Sequence, residues 1–180
     1  MPQLRYNVAT SLDGYIASLD GSTEWIIEDN SIDFGKLYAE FDYFVMGRKT
    51  YEIMQCFGGS DNPLAKQPKE SVIVASRTME QRDFPNITII KENVIDYVRR
   101  LKSSEGGDIW LMGGGKLAAQ CLEAGLVDTI EAAVMPVLLG NGIKMIEPIS
   151  DNMRLSLSGT QSLESGILMT RYVVSNREGQ

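Results

Sequence analysis

The chain has 180 residues, a net charge of −7, 43% hydrophobic and 23% charged residues, and no histidine. This is the length and composition of one ordinary globular domain, with no run approaching the roughly 20 apolar residues of a membrane helix. The missing histidine excludes Ser-His-Asp and Cys-His catalysis and argues against zinc chemistry, and the acidic balance argues against non-specific nucleic-acid binding.

Cys56 and Cys121 are too few for a disulfide framework and match no metal-ligand spacing. Residues 1–6 lack the charged-then-apolar layout of a signal peptide. The expectation is a reduced, cytoplasmic protein in a single domain, 1–180.

Residues 4–10 read as a first strand with partial alternation. Asp13-Gly14 and Asp20-Gly21 are turn signals around the short Tyr15-Ile16-Ala17. The pattern predicts a helix over 30–41, capped by Asn30 or Ser31, with Ile32, Leu37 and Phe41 on its buried side. Tyr43 to Met46 is an apolar strand ending at Gly47, and Arg48 to Cys56 a short helix. Residues 57–70 read as an irregular loop.

Further strands are predicted at 71–75, 87–90, 109–112 and 129–137, the last broken by Pro136, with helices over about 92–103 and 116–124. Residues 155–163 and 167–174 form a hairpin around Glu164-Ser165-Gly166. Strand-helix alternation followed by terminal strands predicts an α/β fold, with a mostly parallel central sheet and an antiparallel C-terminal hairpin.

Three apolar strands run into turns suited to phosphate. They are Gly47-Arg48-Lys49-Thr50, Ser76-Arg77, and Gly113-Gly114-Gly115-Lys116 followed by Leu117. In a parallel sheet, ligands bind beyond the carboxyl ends of the strands. A pyrophosphate needs backbone N–H groups at a helix start and the close approach that glycine allows. A ribose 2′-phosphate needs guanidinium and hydroxyl donors, which Arg48, Ser76 and Arg77 supply. No Asp or Glu stands in these turns to repel that phosphate, so the pattern favours NADP(H) over NAD(H). The spacing fits neither the dinucleotide glycine fingerprint nor a Walker A loop.

Residues 11–17 (SLDGYIA), 46–52 (MGRKTYE), 75–77 (ASR) and 112–115 (MGGG) together resemble the dihydrofolate reductase superfamily. Residues 21–26 (GSTEWI), 125–131 (GLVDTIE) and 135–142 (MPVLLGNG) are most similar to the C-terminal reductase domain of riboflavin-biosynthesis enzymes, the RibD C-terminal family. The resemblance covers nearly the whole chain, with its motifs in order. It implies a three-layer fold around a sheet of about eight strands, NADPH as hydride donor, a small-molecule substrate, and often a homodimer. By position it places Gly47, Arg48, Lys49 and Thr50 at the adenosine side and pyrophosphate. It places Ser76 and Arg77 at the 2′-phosphate, and Gly113, Gly114, Gly115, Lys116 and Leu117 at the pyrophosphate. The resemblance also implies that Thr10, Ile16 and Ala17 border the nicotinamide.

The substrate side departs from the family pattern. Met112 and Gly113 stand where riboflavin-pathway reductases usually carry a glutamate, and the deaminase domain often fused in those enzymes is expected to be absent. Two acids are candidate catalytic groups. Asp13 either faces the substrate pocket or opens an Asp-Gly turn. Asp33, in the region of Glu28 and Asp29, either orients a heterocycle or sits in a helix's first turn, where the dipole favours it. Trp25 either lines the pocket or covers the core, and the cysteines read as packing residues. The implied activity is that of an NADPH-dependent reductase resembling 5-amino-6-(5-phosphoribosylamino)uracil reductase. A dihydrofolate or pteridine reductase and a non-catalytic NADP-binding protein are the alternatives.

Overall fold

The computed structural model describes residues 1–56 and 62–175. Its strands are β1 (Leu4–Ser11), β2 (Tyr15–Ala17), β3 (Phe41–Gly47), β4 (Val72–Ala75), β5 (Thr88–Ile90), β6 (Asp108–Gly113), β7 (Thr129–Met135), β8 (Ile143–Lys144), β9 (Leu155–Ser162) and β10 (Leu168–Val174). Eight of them make one sheet in the order β5-β4-β3-β6-β1-β7-β10-β9, and β2 and β8 form a separate pair. Strands β5 to β7 in that order are joined by parallel ladders; β10 runs antiparallel to both β7 and β9. The mostly parallel sheet with an antiparallel terminal hairpin agrees with the expected fold.

Among the described residues, four helices cover the sheet. Helices α1 (Phe34–Ala39) and α2 (Arg48–Cys56) lie on the face that holds Phe44, Met46, Val74 and Trp110. Helices α3 (Val94–Lys102) and α4 (Gly115–Glu123) pack on the other, against Tyr6, Val45, Ile73 and Leu111. The centre is thus a three-layer sandwich. Burial on both faces is why β3 and β4 read as continuous apolar runs and do not alternate. None of the described helices is long and apolar enough to cross a membrane.

Strand β1 alternates. Leu4 and Tyr6 enter one core, whereas Arg5 points to the opposite face and is also buried. Its guanidinium forks onto Glu131, with Nε and Nη2 each 2.8 Å from a carboxylate oxygen. Nη2 also lies 2.7 Å from Glu40, and the group sits 4.4 Å above the Phe41 ring. A buried charge is tolerable only when paired in this way.

The predicted helix over 30–41 is shorter than expected. Asp29 accepts hydrogen bonds from the Ser31 backbone N–H (2.8 Å) and hydroxyl (2.5 Å), which folds the first turn into a loop. Asp33 then caps α1 by accepting from the Lys36 N–H at 3.0 Å. At the far end Phe41 leaves the helix to begin β3, because its ring packs against Trp110 with centroids 4.9 Å apart. Strand β7 stops at Met135, one residue before Pro136, which has no N–H for the ladder. Part of the loop predicted over 57–70, residues 57–61, lies outside the described residues. The remainder holds two short 3₁₀ turns, Pro63–Lys66 and Lys69–Ser71.

Candidate active site

The ladders align the strand ends. Gly47 of β3 pairs with Ala75 of β4, Ala75 with Ile90 of β5, and Met46 with Gly113 of β6. Every turn after these four strands therefore emerges along one edge of the sheet. A cleft of about 910 Å³ lies there. Its wall includes Gly47, Arg48, Lys49 and Thr50; Ser76 and Arg77; and Gly114, Gly115, Lys116 and Leu117. The three phosphate-compatible turns read from the sequence are brought together.

At the third turn, Gly114 sits in the N-cap position of α4 without offering a side-chain cap. The first N–H groups of a helix have no partner inside it, so this end presents donors and the positive end of the dipole. Leu117 contributes its backbone there, since its side chain is buried in the core. Gly115 is fixed by packing: a Cβ at this position would lie 2.3 Å from the Lys144 carbonyl oxygen. Gly113 has φ +104°, a conformation that favours glycine, and it stands behind the wall.

Ser76 does more than face a ligand. Its Oγ accepts from the backbone N–H of Met79 at 3.1 Å and of Thr78 at 3.3 Å, holding the turn that exposes Arg77. Arg48 keeps a long contact of 3.6 Å with Glu52 one helical turn on. Ala17 and Ile16 are on the wall. Thr10 is buried behind it, with its hydroxyl within 3.1 Å of the Ser11 carbonyl and 3.2 Å of the Tyr15 carbonyl. Val8 and Ala9 provide the cleft surface from β1.

The two candidate acids have structural partners in place of a position on the wall. Asp13 accepts from the Ser11 hydroxyl and the Gly140 N–H, each at 2.7 Å, and from the Leu139 N–H at 3.1 Å. These hydrogen bonds, that of Ser11 foremost, hold its carboxyl below the usual carboxylate range. Asp33 is the helix cap already described and also meets Lys36 at 3.4 Å. Trp25 is partly buried; its neighbours Thr23 and Ile26 are the residues that line the cleft. Cys121 lies in the core, where burial pushes its thiol up to about 12.

Sequence reasoning missed a fourth turn, Lys91-Glu92-Asn93, which also lines the cleft ahead of α3. The signal was present, since a parallel strand at 87–90 ends there by the same rule that picked the other three. Lys91 is paired with Glu80 at 2.5 Å. Glu147 was missed as well, because only the tertiary path after β8 carries it to Gly115, whose carbonyl accepts its N–H at 3.2 Å. Among the described residues, Glu92 and Glu147 are the carboxylates on the cleft wall.

Comparison with known proteins agrees with this geometry. The model of the RibD C-terminal domain matches residues 2–169. The uncharacterized protein YyaP of Bacillus subtilis (strain 168) is 28% identical over 173 residues, 92% of each chain. The riboflavin biosynthesis protein RibD of Mycobacterium tuberculosis is 29% identical over 159 residues, covering 83% of this chain but 46% of that protein. A Shewanella sp. PV-4 protein provisionally assigned to riboflavin biosynthesis superposes with a TM-score of 0.80 at 26% identity, covering 97% of this chain and 99% of that one.

Proposed function

The chain belongs to the RibD C-terminal domain family, and from that membership and the cleft we propose that it is an NADPH-dependent reductase of a small heterocyclic or sugar-derived substrate. The observation that carries this reading is the alignment of four strand-end turns, three of them glycine- or serine-containing and each of them carrying a lysine or arginine, on an otherwise acidic protein. The residues fit the cofactor. The uncapped start of α4 suits a pyrophosphate, and Arg77 beside the Ser76 turn suits a 2′-phosphate.

Bound NADPH supplies a hydride from its nicotinamide C4. The chain's own residues supply orientation and shelter. Arg48, Lys49 and Lys116 neutralise phosphate charge, and the glycines let the backbone come close. Ile16 and Ala17 close off the wall and exclude water. With no histidine in the chain, the proton reaches the product from a carboxylate or from water.

Calorimetric titration with NADPH and NADH tests this. The expected result is micromolar NADPH binding with a clear preference over NADH that Arg77→Ala removes. Binding of both cofactors no better than millimolar, about −4 kcal/mol, would refute the cofactor reading. NADPH oxidation screened against dihydrofolate, pterins, quinones and the ribosylaminopyrimidine intermediate separates the reductase from a pteridine reductase and from a non-catalytic binder.

A second copy of the chain is the proposed partner. Strand β9, Leu-Ser-Leu-Ser-Gly-Thr-Gln-Ser, is an edge strand exposed along its whole length and carries no charge. On a chain of net charge −7 an uncharged, unpaired edge is the place where two copies meet with least repulsion.

A further inference from the structure

The cleft is divided into a charged half, which holds the cations together with Glu92 and Glu147, and an apolar half. In sheet order its cations follow the ends of β5, β4, β3 and β6: Lys91, Arg77, Arg48 with Lys49, and Lys116. Beyond β6 comes β1, and there the wall changes character. Val8, Ala9 and Ile16 line the wall here, with Ile26 from the following loop and Ile53 from α2; Met54, also on the wall, sits at the end of α2 and packs as well on the β3–β4 core. Helix α2 crosses between the halves, since Arg48 and Lys49 open it and Ile53 and Met54 lie near its end. At about 1.5 Å rise per residue they are roughly 7 Å further along the axis. The loop carrying Thr23 and Ile26 closes against that end, where a Cβ on Gly21 would stand 4.0 Å from Ile53 Cδ1. Ile16 and Thr50 mark the boundary, each within 4 Å of a Cβ placed on Gly114.

A phosphate dianion placed against the apolar half would lose its water and gain no cation. A flat, uncharged ring system would lose little and bury its faces against aliphatic side chains. We propose that the hydride acceptor of this chain is an uncharged, unphosphorylated planar conjugated molecule, a heterocycle with a C=N bond or a quinone, held by its faces in the half of the cleft formed by β1, the 23–26 loop and the end of α2. This rests on the NADPH reading, which assigns the basic half to the cofactor. Thr23 supplies a hydroxyl on that wall to orient the polar edge of the ring.

The transfer balances without further reagents. The C4–H bond of the reduced nicotinamide breaks and a C–H bond forms at the electrophilic acceptor carbon. The electron pair of the C=N or C=O bond moves to its heteroatom, which takes a proton from water. NADPH is oxidised and the acceptor reduced by two electrons.

The test uses the full chain with five probes: lumazine, menadione, ribose 5-phosphate, and the ribosylaminopyrimidine intermediate with and without its 5′-phosphate. Binding is measured by equilibrium dialysis with and without saturating NADP⁺, and turnover as NADPH consumption. The expected result is that lumazine or menadione binds, that ribose 5-phosphate does not, and that the 5′-phosphate changes binding or kcat/KM of the intermediate by less than threefold. Ile26→Lys, and Met54→Lys as a second variant, should weaken the uncharged probes at least tenfold while NADPH binding stays within threefold. A thirtyfold or greater advantage for the phosphate ester overturns the proposal. So does failure of both uncharged probes to bind, or indifference of their binding to both lysine variants. Absence of NADPH binding with lumazine still held in the unmodified chain sinks the cofactor reading, and with it the role of the bound ring as hydride acceptor; NADPH binding with neither uncharged probe held sinks this proposal alone.

Discussion

The backbone N–H of Ser76 donates to the carbonyl of Ile90 at 3.0 Å, tying the turn after β4 to the turn after β5. Arg77 and Lys91 follow those two residues directly and both line the cleft. A 2′-phosphate held between them would receive a cation from each turn. Arg77→Ala and Lys91→Ala should each lower NADPH affinity by about tenfold to a hundredfold, the worth of one charged hydrogen bond (~1.5–3 kcal/mol). NADH affinity should stay within threefold. Glu80→Gln releases Lys91 from its ion pair and should raise NADPH affinity slightly. Titration calorimetry on the three variants decides the matter, and an equal loss for NADH and NADPH counts against the two-turn clamp.

Gly115 has no room for a side chain, because the atoms a Cβ would strike belong to the backbone of residues 144–147. Gly115→Ala should therefore destabilise the fold by about 2–3 kcal/mol, the cost of overpacking against a rigid neighbour. It should also displace the start of α4 and weaken NADPH binding in the surviving folded protein. Urea unfolding, followed by calorimetry below the transition, measures both effects. A stability within about 0.5 kcal/mol of the original would show that the segment after β8 yields.

Asp13 and Asp33 are engaged in holding backbone, so neither is expected to carry a proton to substrate. Asp13→Asn and Asp33→Asn should each reduce kcat by less than about tenfold. Asp33→Ala should cost roughly 1 kcal/mol of stability through loss of the α1 cap. A hundredfold fall in kcat for either Asn variant, with NADPH binding intact, would restore that acid to the chemistry.

Glu131 links Arg5, Asn7, Thr129 and Arg171 across β1, β7 and β10. Burial raises its carboxyl, but the Arg5 hydrogen bond and charge outweigh this and hold it below the usual range. A carboxyl lowered in the folded state contributes stability above its unfolded value, about pH 4.3, and loses it as pH falls through the folded value. The urea midpoint should therefore drop as pH falls below about 4.3, and Glu131→Gln should flatten that dependence. Removing Arg5 alone, Arg5→Met, strips Glu131 of its forked partner and leaves it only the half-exposed Arg171 at 3.4 Å, which should cost up to about 3 kcal/mol.

The uncharged edge strand β9 leads to a prediction about assembly. Leu157, exposed on β9, is replaced by lysine in Leu157→Lys. If two copies meet along this strand, the variant should shift sedimentation from dimer to monomer without changing NADPH affinity. A chain that sediments as a monomer before any substitution removes the basis for this interface.

The sequence by itself determined the α/β class, the hairpin at the end and three of the four turns that line the cleft. These are local matters: apolar run length sets the strands, and glycine, serine and arginine after a run set the turn chemistry. It also made the fold family recognisable, through motifs spaced over nearly the whole chain. Only the tertiary structure decided which acids face the cleft. The sequence offered each a structural role, a turn for Asp13 and a helix's first turn for Asp33, but could not choose between that role and the cleft, because Gly140, which holds Asp13, is distant in the chain and the exact start of α1 was not legible. Glu147 became part of the cleft through the packing of Lys144 against Gly115, whereas Lys91 was legible as the turn after the strand at 87–90 and was overlooked. The apolar half of the cleft was equally illegible, because Val8, Ile26 and Ile53 are ordinary aliphatic residues until the sheet order sets them beside one another and apart from the cations.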